Sequence, residues 1–357
     1  MTVVRNPSAW RGTRILLTGH TGFKGAWLAL WLSRLGAEVY GFSGHPPSSP
    51  SLYAEAGLSD VLAGEQHGDV RDDAAVRRAF DAAQPELVLH LAAQAIVRRS
   101  LVDPLETWTT NVVGTANVLQ ALPGTTRAVV VVTSDKCYRD IETGRPMVED
   151  DPLGGKDPYS ASKAAQELVA SSHRGTLLAD RGVQVATARA GNVIGGGDWA
   201  TDRLVPDLMR AALAGEPLVL RNPHAVRPWQ HVLNPLSGYL ALAERLLEGP
   251  GFDRAWNFGP DADDARPVSW IVDRISDRWP GAVPEVRVEG DPDAAKESVL
   301  LRLDSSLARD ELGWRPAWDL AAGLDATVEW YAGTAPPLDR CLQQIGAFED
   351  VPVSADR

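Results

Sequence analysis

The chain has 357 residues, 44% of them hydrophobic, which is enough to bury a large core and excludes global disorder. A formal net charge of -12 argues against nucleic acid or an anionic membrane as the main partner. Two cysteines, Cys137 and Cys341, do not make a disulfide framework, no apolar run approaches a membrane span, and residues 1–12 carry no apolar leader, so a reduced, cytoplasmic protein is expected.

Arg14–Thr18 reads as a short apolar strand running into Gly19-His20-Thr21-Gly22-Phe23-Lys24-Gly25. A helix follows, with Leu28, Leu32 and Leu35 on one face and Gly36 as its stop. Strand, glycines and helix are the setting of a dinucleotide loop. The glycines permit a tight turn and close backbone approach, and the helix N-terminus receives a pyrophosphate. Gly19, Thr21, Gly22, Phe23 and Gly25 are thus candidate cofactor contacts, against the plainer reading of a glycine-rich turn. The second strand, Glu38–Phe42, should be followed by an acid for the ribose hydroxyls. None occurs between Val39 and Ala54, nor does an Arg or Lys for a 2′-phosphate, so this loop does not decide between NAD and NADP.

Gly68-Asp69-Val70-Arg71-Asp72 comes where the chain should cross under an adenine. Asp69 can accept from the exocyclic amine there, or cap the next helix. Glu86–Ala93 is a fourth strand, whose final Leu91, Ala92 and Ala93 leave room for a cofactor. Asn111 falls in a helical stretch, Trp108–Leu122, and needs a partner if buried.

The pivotal segment begins at Ala128–Val132, an apolar run that reads as a strand buried on both faces. It stops in Thr133-Ser134-Asp135-Lys136-Cys137-Tyr138, at the strand end where open α/β sheets bind ligands. After a loop rich in Gly, Pro and Asp, Tyr159-Ser160-Ala161-Ser162-Lys163 heads a helical pattern. Tyr159 and Lys163 lie one turn apart on one face. An ammonium favours the phenolate by attraction, and a serine hydroxyl can hold the same substrate oxygen. Such a triad removes a proton from an alcohol while a hydride leaves the same carbon.

Val183–Ala188 is a sixth strand, ending in Arg189-Ala190-Gly191-Asn192-Val193-Ile194. The alternation of strands and helices predicts a doubly wound parallel sheet of the Rossmann type over residues 1–190. Beyond it, tryptophans and prolines become frequent, and a smaller α+β lobe is expected over 191–340, interdigitated at its boundary. An uninformative tail, 341–357, completes the division. Arg203, Arg221 and Arg227 are spread through the lobe, where bidentate guanidinium groups suit a diphosphate.

Taken together, TGHTGFKG at Thr18–Gly25, GDVRD at Gly68–Asp72, HLAAQ at His90–Gln94 and YSASK at Tyr159–Lys163 resemble the extended short-chain dehydrogenase/reductase family. TSDKCY at Thr133–Tyr138, RAGNVIGGGDWA at Arg189–Ala200 and RPWQHVL at Arg227–Leu233 narrow the likeness to its nucleotide-sugar 4,6-dehydratases. The resemblance implies NAD as cofactor, a CDP-hexose as substrate, no metal, and a homodimer or dimer of dimers built on helices that include the one carrying Tyr159. It places Tyr159, Lys163 and Ser134 at the 4-hydroxyl and Asp135 as the acid for the leaving 6-hydroxyl. It puts Asn192, Arg203 and Arg227 near the diphosphate and Gln94 near the sugar, and Lys24 adds charge near the pyrophosphate. Related dehydratases carry a Glu after the Asp as base. Here that position is Lys136, which is either the base or an ion-pair partner of Asp135. An epimerase or ketoreductase on the same scaffold is the competing enzyme reading, disfavoured by Asp135-Lys136. A silent dinucleotide-binding regulator is disfavoured because Tyr159 and Lys163 are both present.

Overall fold

The computed structural model describes residues 6–139, 144–220, 222–281, 284–289 and 301–352. In chain order the elements of the first half are β1 (Arg14–Thr18), α1 (Phe23–Arg34), β2 (Glu38–Ser43), α2 (Leu52–Glu55), β3 (Gly64–His67), α3 (Asp73–Ala83), β4 (Leu87–His90), α4 (Val97–Val102), α5 (Pro104–Trp108), α6 (Gly114–Gln120), β5 (Ala128–Val132), α7 (Pro158–Gly175) and β6 (Gln184–Arg189). The second half adds β7 (Asn192–Ile194), α8 (Leu204–Ala214), β8 (Leu218–Leu220), β9 (Val226–His231), α9 (Leu233–Glu248), β10 (Ala255–Asn257), β11 (Ala265–Pro267), α10 (Val268–Arg278), β12 (Val286–Val288), α11 (Leu320–Ala332) and α12 (Pro337–Glu349).

Seven parallel strands form the main sheet in the order β10-β6-β5-β4-β1-β2-β3. From β1 the chain winds outward through β2 and β3, then returns to place β4, β5 and β6 on the other side. The order therefore reverses between β1 and β4, which opens a ligand crevice at their carboxyl ends. Two apolar layers cover the sheet. β5 feeds both, Val130 and Val132 on one face and Val129 and Val131 on the other, so the whole strand is buried. A strand that never meets water has no polar face to show, and its sequence is a run of valines.

β3 went unread because Gly-Glu-Gln-His at positions 64–67 is polar and half exposed at the sheet edge. A larger difference concerns α1. The sequence suggests one apolar face, yet Gly25 through Leu32 are all buried. The cover includes α12, which the sequence reading assigns to a tail. Trp31 meets Phe348 edge to face with ring centroids 5.7 Å apart, and its indole N–H donates to Glu349 at 2.8 Å. Cys341, Gln344, Ile345 and Phe348 are buried, so one face of this helix is core. Proline and acidic residues around this helix mask its apolar spacing.

The expected lobe boundary is crossed by β10, which pairs with β6 in the main sheet. The smaller lobe contributes a three-stranded sheet, β11-β9-β7, and a two-stranded one, β12-β8. Among the described residues no helix is long and apolar enough to cross a membrane. Phe348→Ala is expected to cost about 3–5 kcal/mol in urea unfolding, as for other buried aromatics. Gln343→Ala, exposed on the same helix, should stay within about 0.5 kcal/mol.

Candidate active site

The glycine loop leaves β1 at Gly19, in the left-handed region at φ +80°. A Cβ on Gly19 would sit 2.7 Å from the Ala92 nitrogen at the end of β4, and one on Gly25 would sit 2.1 Å from the Gly19 carbonyl oxygen. A side chain at Gly19 would push the ends of β1 and β4 apart, and one at Gly25 would push α1 off the loop. Gly22, the N-cap of α1, supplies no side-chain cap, which leaves the first N–H groups of the helix available to an anion. Glycines, the uncapped helix and the half-buried Leu91, Ala92 and Ala93 together form a backbone-lined cradle that fits a dinucleotide pyrophosphate.

A chain of buried polar groups locks the floor of this crevice. Thr18 Oγ1 lies 2.7 Å from His90 Nδ1, His90 Nε2 lies 3.0 Å from Thr115 Oγ1, and Gln166 on α7 donates to Thr115 at 2.7 Å. Burial pushes the His90 imidazole down to about 3, so the ring is neutral and bridges two hydroxyls. Asn111 sits fully buried in a π-helical turn, Thr109–Val113. Its amide accepts from the Gln94 N–H at 2.8 Å and donates to the Gln94 carbonyl and to Ser162 Oγ at 2.8 Å. Those bonds occupy the amide, so Asn111 braces the β4 loop against α7, and a cofactor contact through its side chain is not supported. Gln94 is likewise engaged with Ile96 and Thr107, a loop brace rather than an open sugar contact.

Asp69 is bound by Arg71, through the backbone N–H at 2.8 Å and the guanidinium at 2.8 and 2.5 Å. The helix cap expected of it is Asp72, which accepts from Ala74 and Ala75. Val70 is buried under Gly114, where a Cβ would stand 2.6 Å from its methyl. An unexpected cluster adjoins the loop. His20 is fully buried over Gly41, its Nε2 3.0 Å from Glu65, and Tyr53 donates to the same carboxylate at 2.9 Å. Only strand pairing of β2 with β3 brings Glu65 here.

At the end of β5, Ser134 caps a 3-10 turn, Asp135–Cys137, by accepting from the Lys136 N–H at 3.2 Å. Its hydroxyl donates to Asp135 Oδ1 at 2.8 Å, and it is hydrogen-bonded to the Tyr159 phenol. Across the gap, Asp157 caps α7 and Pro158 opens it, which fixes the first turn bearing Tyr159. Ser134, Asp135, Tyr159 and Lys163 are all buried. Lys163 Nζ lies 3.5 Å from the Val132 carbonyl.

Burial pushes the Tyr159 phenol up to about 12, against a hydrogen bond with Ser134 and the Arg203 charge, which lower it. Burial, then the charge of Lys24, bring the Lys163 ammonium down to about 7. Desolvation thus outweighs the simple attraction expected between the pair. Lys24 contributes because it turns inward. Its Nζ donates to the buried Tyr239 hydroxyl of α9 at 3.2 Å, and burial followed by Arg203 lowers it to about 8, with Asp135 pulling the other way. The glycine loop thus carries a cation, expected near the pyrophosphate, that faces Arg203 and Asp135.

Arg203, at the start of α8, joins the same field and pairs with buried Asp198 at 3.4 Å. Asn192 begins β7, in register with Trp229 of β9, and Arg227 of β9 donates to the Val226 carbonyl at 2.9 Å. Arg221 lies outside the described residues. Among the described residues no ion pair joins Asp135 to Lys136, whose side chain is half-buried at the turn. Tyr239 and Asp198 were missed: nothing near Tyr239 distinguishes it from a core residue, and Asp198, although inside the Arg189–Ala200 stretch, has no partner in sight until Arg203 is folded against it.

Fold and site define a dinucleotide-dependent enzyme that acts on a hydroxyl-bearing substrate. The model of the NAD dependent epimerase/dehydratase family matches residues 15–259, and the chain belongs to that family. It is 45% identical over 331 residues to a CDP-glucose 4,6-dehydratase of Salmonella typhimurium, covering 90% of this chain and 91% of that one. It is 30% identical over 338 residues to a dTDP-glucose 4,6-dehydratase of Xanthomonas campestris pv. campestris, covering 88% and 92%. Among solved structures, a dTDP-glucose 4,6-dehydratase of Streptomyces venezuelae with NAD bound matches with TM-score 0.74 at 26% identity, over 90% of this chain and 98% of that one.

The buried lysines give a pH signature. Lys163 is depressed in the folded state to about 7 from 10.5, so between those values the unfolded chain binds more protons. Stability contributed by this group must therefore rise with pH across that window, by at most about 1.4 kcal/mol per unit. Lys163→Met lacks the group. In urea unfolding from pH 7 to 9.5, wild-type stability should climb relative to that variant, and parallel curves would refute the depressed value.

Proposed function

We propose that this enzyme converts CDP-glucose to CDP-4-keto-6-deoxyglucose in the cytoplasm, in a redox-neutral loss of water. The single observation that carries the reading is the meeting, over the glycine cradle, of Tyr159 and Ser134 with a buried acid, Asp135. NAD in that cradle supplies a positively charged acceptor, and later the donor, of one hydride. Tyr159 takes the proton of the 4-hydroxyl, with Ser134 holding the same oxygen. A ketone at carbon 4 acidifies the proton at carbon 5, because the resulting carbanion is an enolate. Lys136 is the base that accepts this proton, and Asp135 protonates the departing 6-hydroxyl, which leaves as water. An epimerase has no leaving hydroxyl to protonate, so an acid held in this position favours dehydration. Arg203, Arg227 and Asn192 are the diphosphate contacts, and the excess of cations around Lys24 and Arg203 supports an anionic substrate. Two unpaired, buried cysteines fit a reducing compartment.

We further propose a homodimer. Leu101, Val102, Leu105, Trp108 and Val113 are exposed on consecutive turns of α4, α5 and the π-helical segment, and Leu168 is exposed on the neighbouring α7. An apolar surface of this extent is a burial site for a second copy. Sedimentation should give twice the chain mass, and Leu105→Glu with Leu168→Glu should return it to the monomer. A wild-type monomer rejects this interface.

Incubation with CDP-, dTDP-, GDP- and UDP-glucose should give a product 18 mass units lighter, the mass of one water, from the CDP sugar, with no net NADH. Retained mass, or net consumption of reduced cofactor, overturns the reading. In deuterated water, Lys136→Ala should lose wash-in at carbon 5 by about 100-fold or more. Unchanged exchange removes Lys136 as the base.

A further inference from the structure

Tyr159, Lys163 and Glu167 are successive i, i+4 positions on one face of α7. The first two line the pocket, while Glu167 is 4% exposed and points at the strands beneath. Its Oε1 accepts from Thr133 Oγ1 at 2.5 Å, and its Oε2 accepts from Thr187 Oγ1 at 2.6 Å and from Arg189 Nη2 at 2.8 Å. Arg189, equally buried at the end of β6, spends its other nitrogen on the Tyr138 hydroxyl at 2.6 Å and the Glu149 carbonyl at 2.8 Å. Tyr138 in turn donates to Asn257 Oδ1 at 2.8 Å, and the Asn257 amide donates to the carbonyls of Met147 and Asp304.

The topology of these bonds is what matters. Thr133 immediately precedes Ser134 and Tyr138 immediately follows Cys137, so one ion pair grips both ends of the turn carrying Ser134, Asp135 and Lys136. The same carboxylate is fixed to the helix that carries Tyr159 and Lys163. We infer that the Glu167–Arg189 pair is a positioning unit, holding the helix that bears Tyr159 and Lys163 in register with the turn that bears Ser134, Asp135 and Lys136. Stability alone does not account for it, because an apolar pair of similar volume in such a place is commonly as stable or more so. What an apolar pair cannot do is direct hydrogen bonds to two hydroxyls on opposite ends of a turn. The inference rests on the dehydratase reading for the chemistry being positioned, though not for the geometry.

Three variants test it, one of them a double substitution. Glu167→Gln puts a donor against Arg189, and should lower kcat about 100-fold with KM within about threefold, the signature of misplaced groups and not of lost binding. Glu167→Leu combined with Arg189→Met should recover urea stability while kcat stays down by at least about tenfold. Recovery of kcat together with stability reduces the pair to packing and overturns the inference. Tyr138→Phe deletes one hydroxyl and leaves the ion pair, and kcat should fall several-fold at unchanged KM; wild-type turnover there is equally fatal. Hydrogen exchange needs no substrate. Amides of 133–139 should exchange about tenfold faster in Tyr138→Phe and in the double variant, with those of 159–170 unchanged, and equal protection overturns the positioning role whatever the enzyme acts on. Failure of the wild type to dehydrate any nucleotide sugar, with the exchange result as expected, sinks the functional reading and leaves the positioning unit standing.

Discussion

Lys163 and Lys24 are both stripped of water by burial, and much of the site is arranged around them. Both ammonium groups are pushed down by burial, and each also feels a second cation, Lys24 for the one and Arg203 for the other. The carboxylates acting against this are Asp135 for Lys24 and Glu167 for Lys163. Neither supplies a close ion pair to its lysine, so the pocket keeps positive charge in a place of low dielectric. An anion entering such a pocket gains more than it would at the surface. The same desolvation raises the Tyr159 phenol, and Ser134 and Arg203 are the groups that bring it back toward use.

Much of this architecture was legible before any coordinates. β1 and β5 have the bounds their apolar runs suggest, and the parallel sheet follows from alternation alone. The glycine loop could be read because its requirement is steric and local, a backbone that tolerates no Cβ. Tyr159 and Lys163 could be read because helical spacing places them together. Each of these signals lies within a dozen residues of chain.

What stayed hidden depends on distant partners. Nothing near Asn111 or Gln94 says that the one is spent on the Gln94 backbone and the other on Ile96 and Thr107, and a free Gln in a ligand loop looks the same in sequence as a spent one. The inward turn of Lys24 is decided by Tyr239, 215 residues away. α12 was lost for a related reason, since its apolar positions are ordinary until α1 is seen to need cover on its outer face. Glu167 is the exception. It continues the stripe of Tyr159 and Lys163 by one more step, and a carboxylate at that position in a buried helix was a readable request for a cation.

The turn at the end of β5 explains how adjacent residues can serve opposite tasks. A 3-10 turn advances about 120° per residue, so Asp135 and Lys136 cannot face the same point. Asp135 is held inward by Ser134, while Lys136 is left half-buried at the rim. An elimination needs such a separation, because the proton leaves one carbon and the hydroxyl its neighbour. The shape of the turn does not depend on which residue fills the second position, since it is set by the Ser134 cap and by the hydrogen bonds of Thr133 and Tyr138.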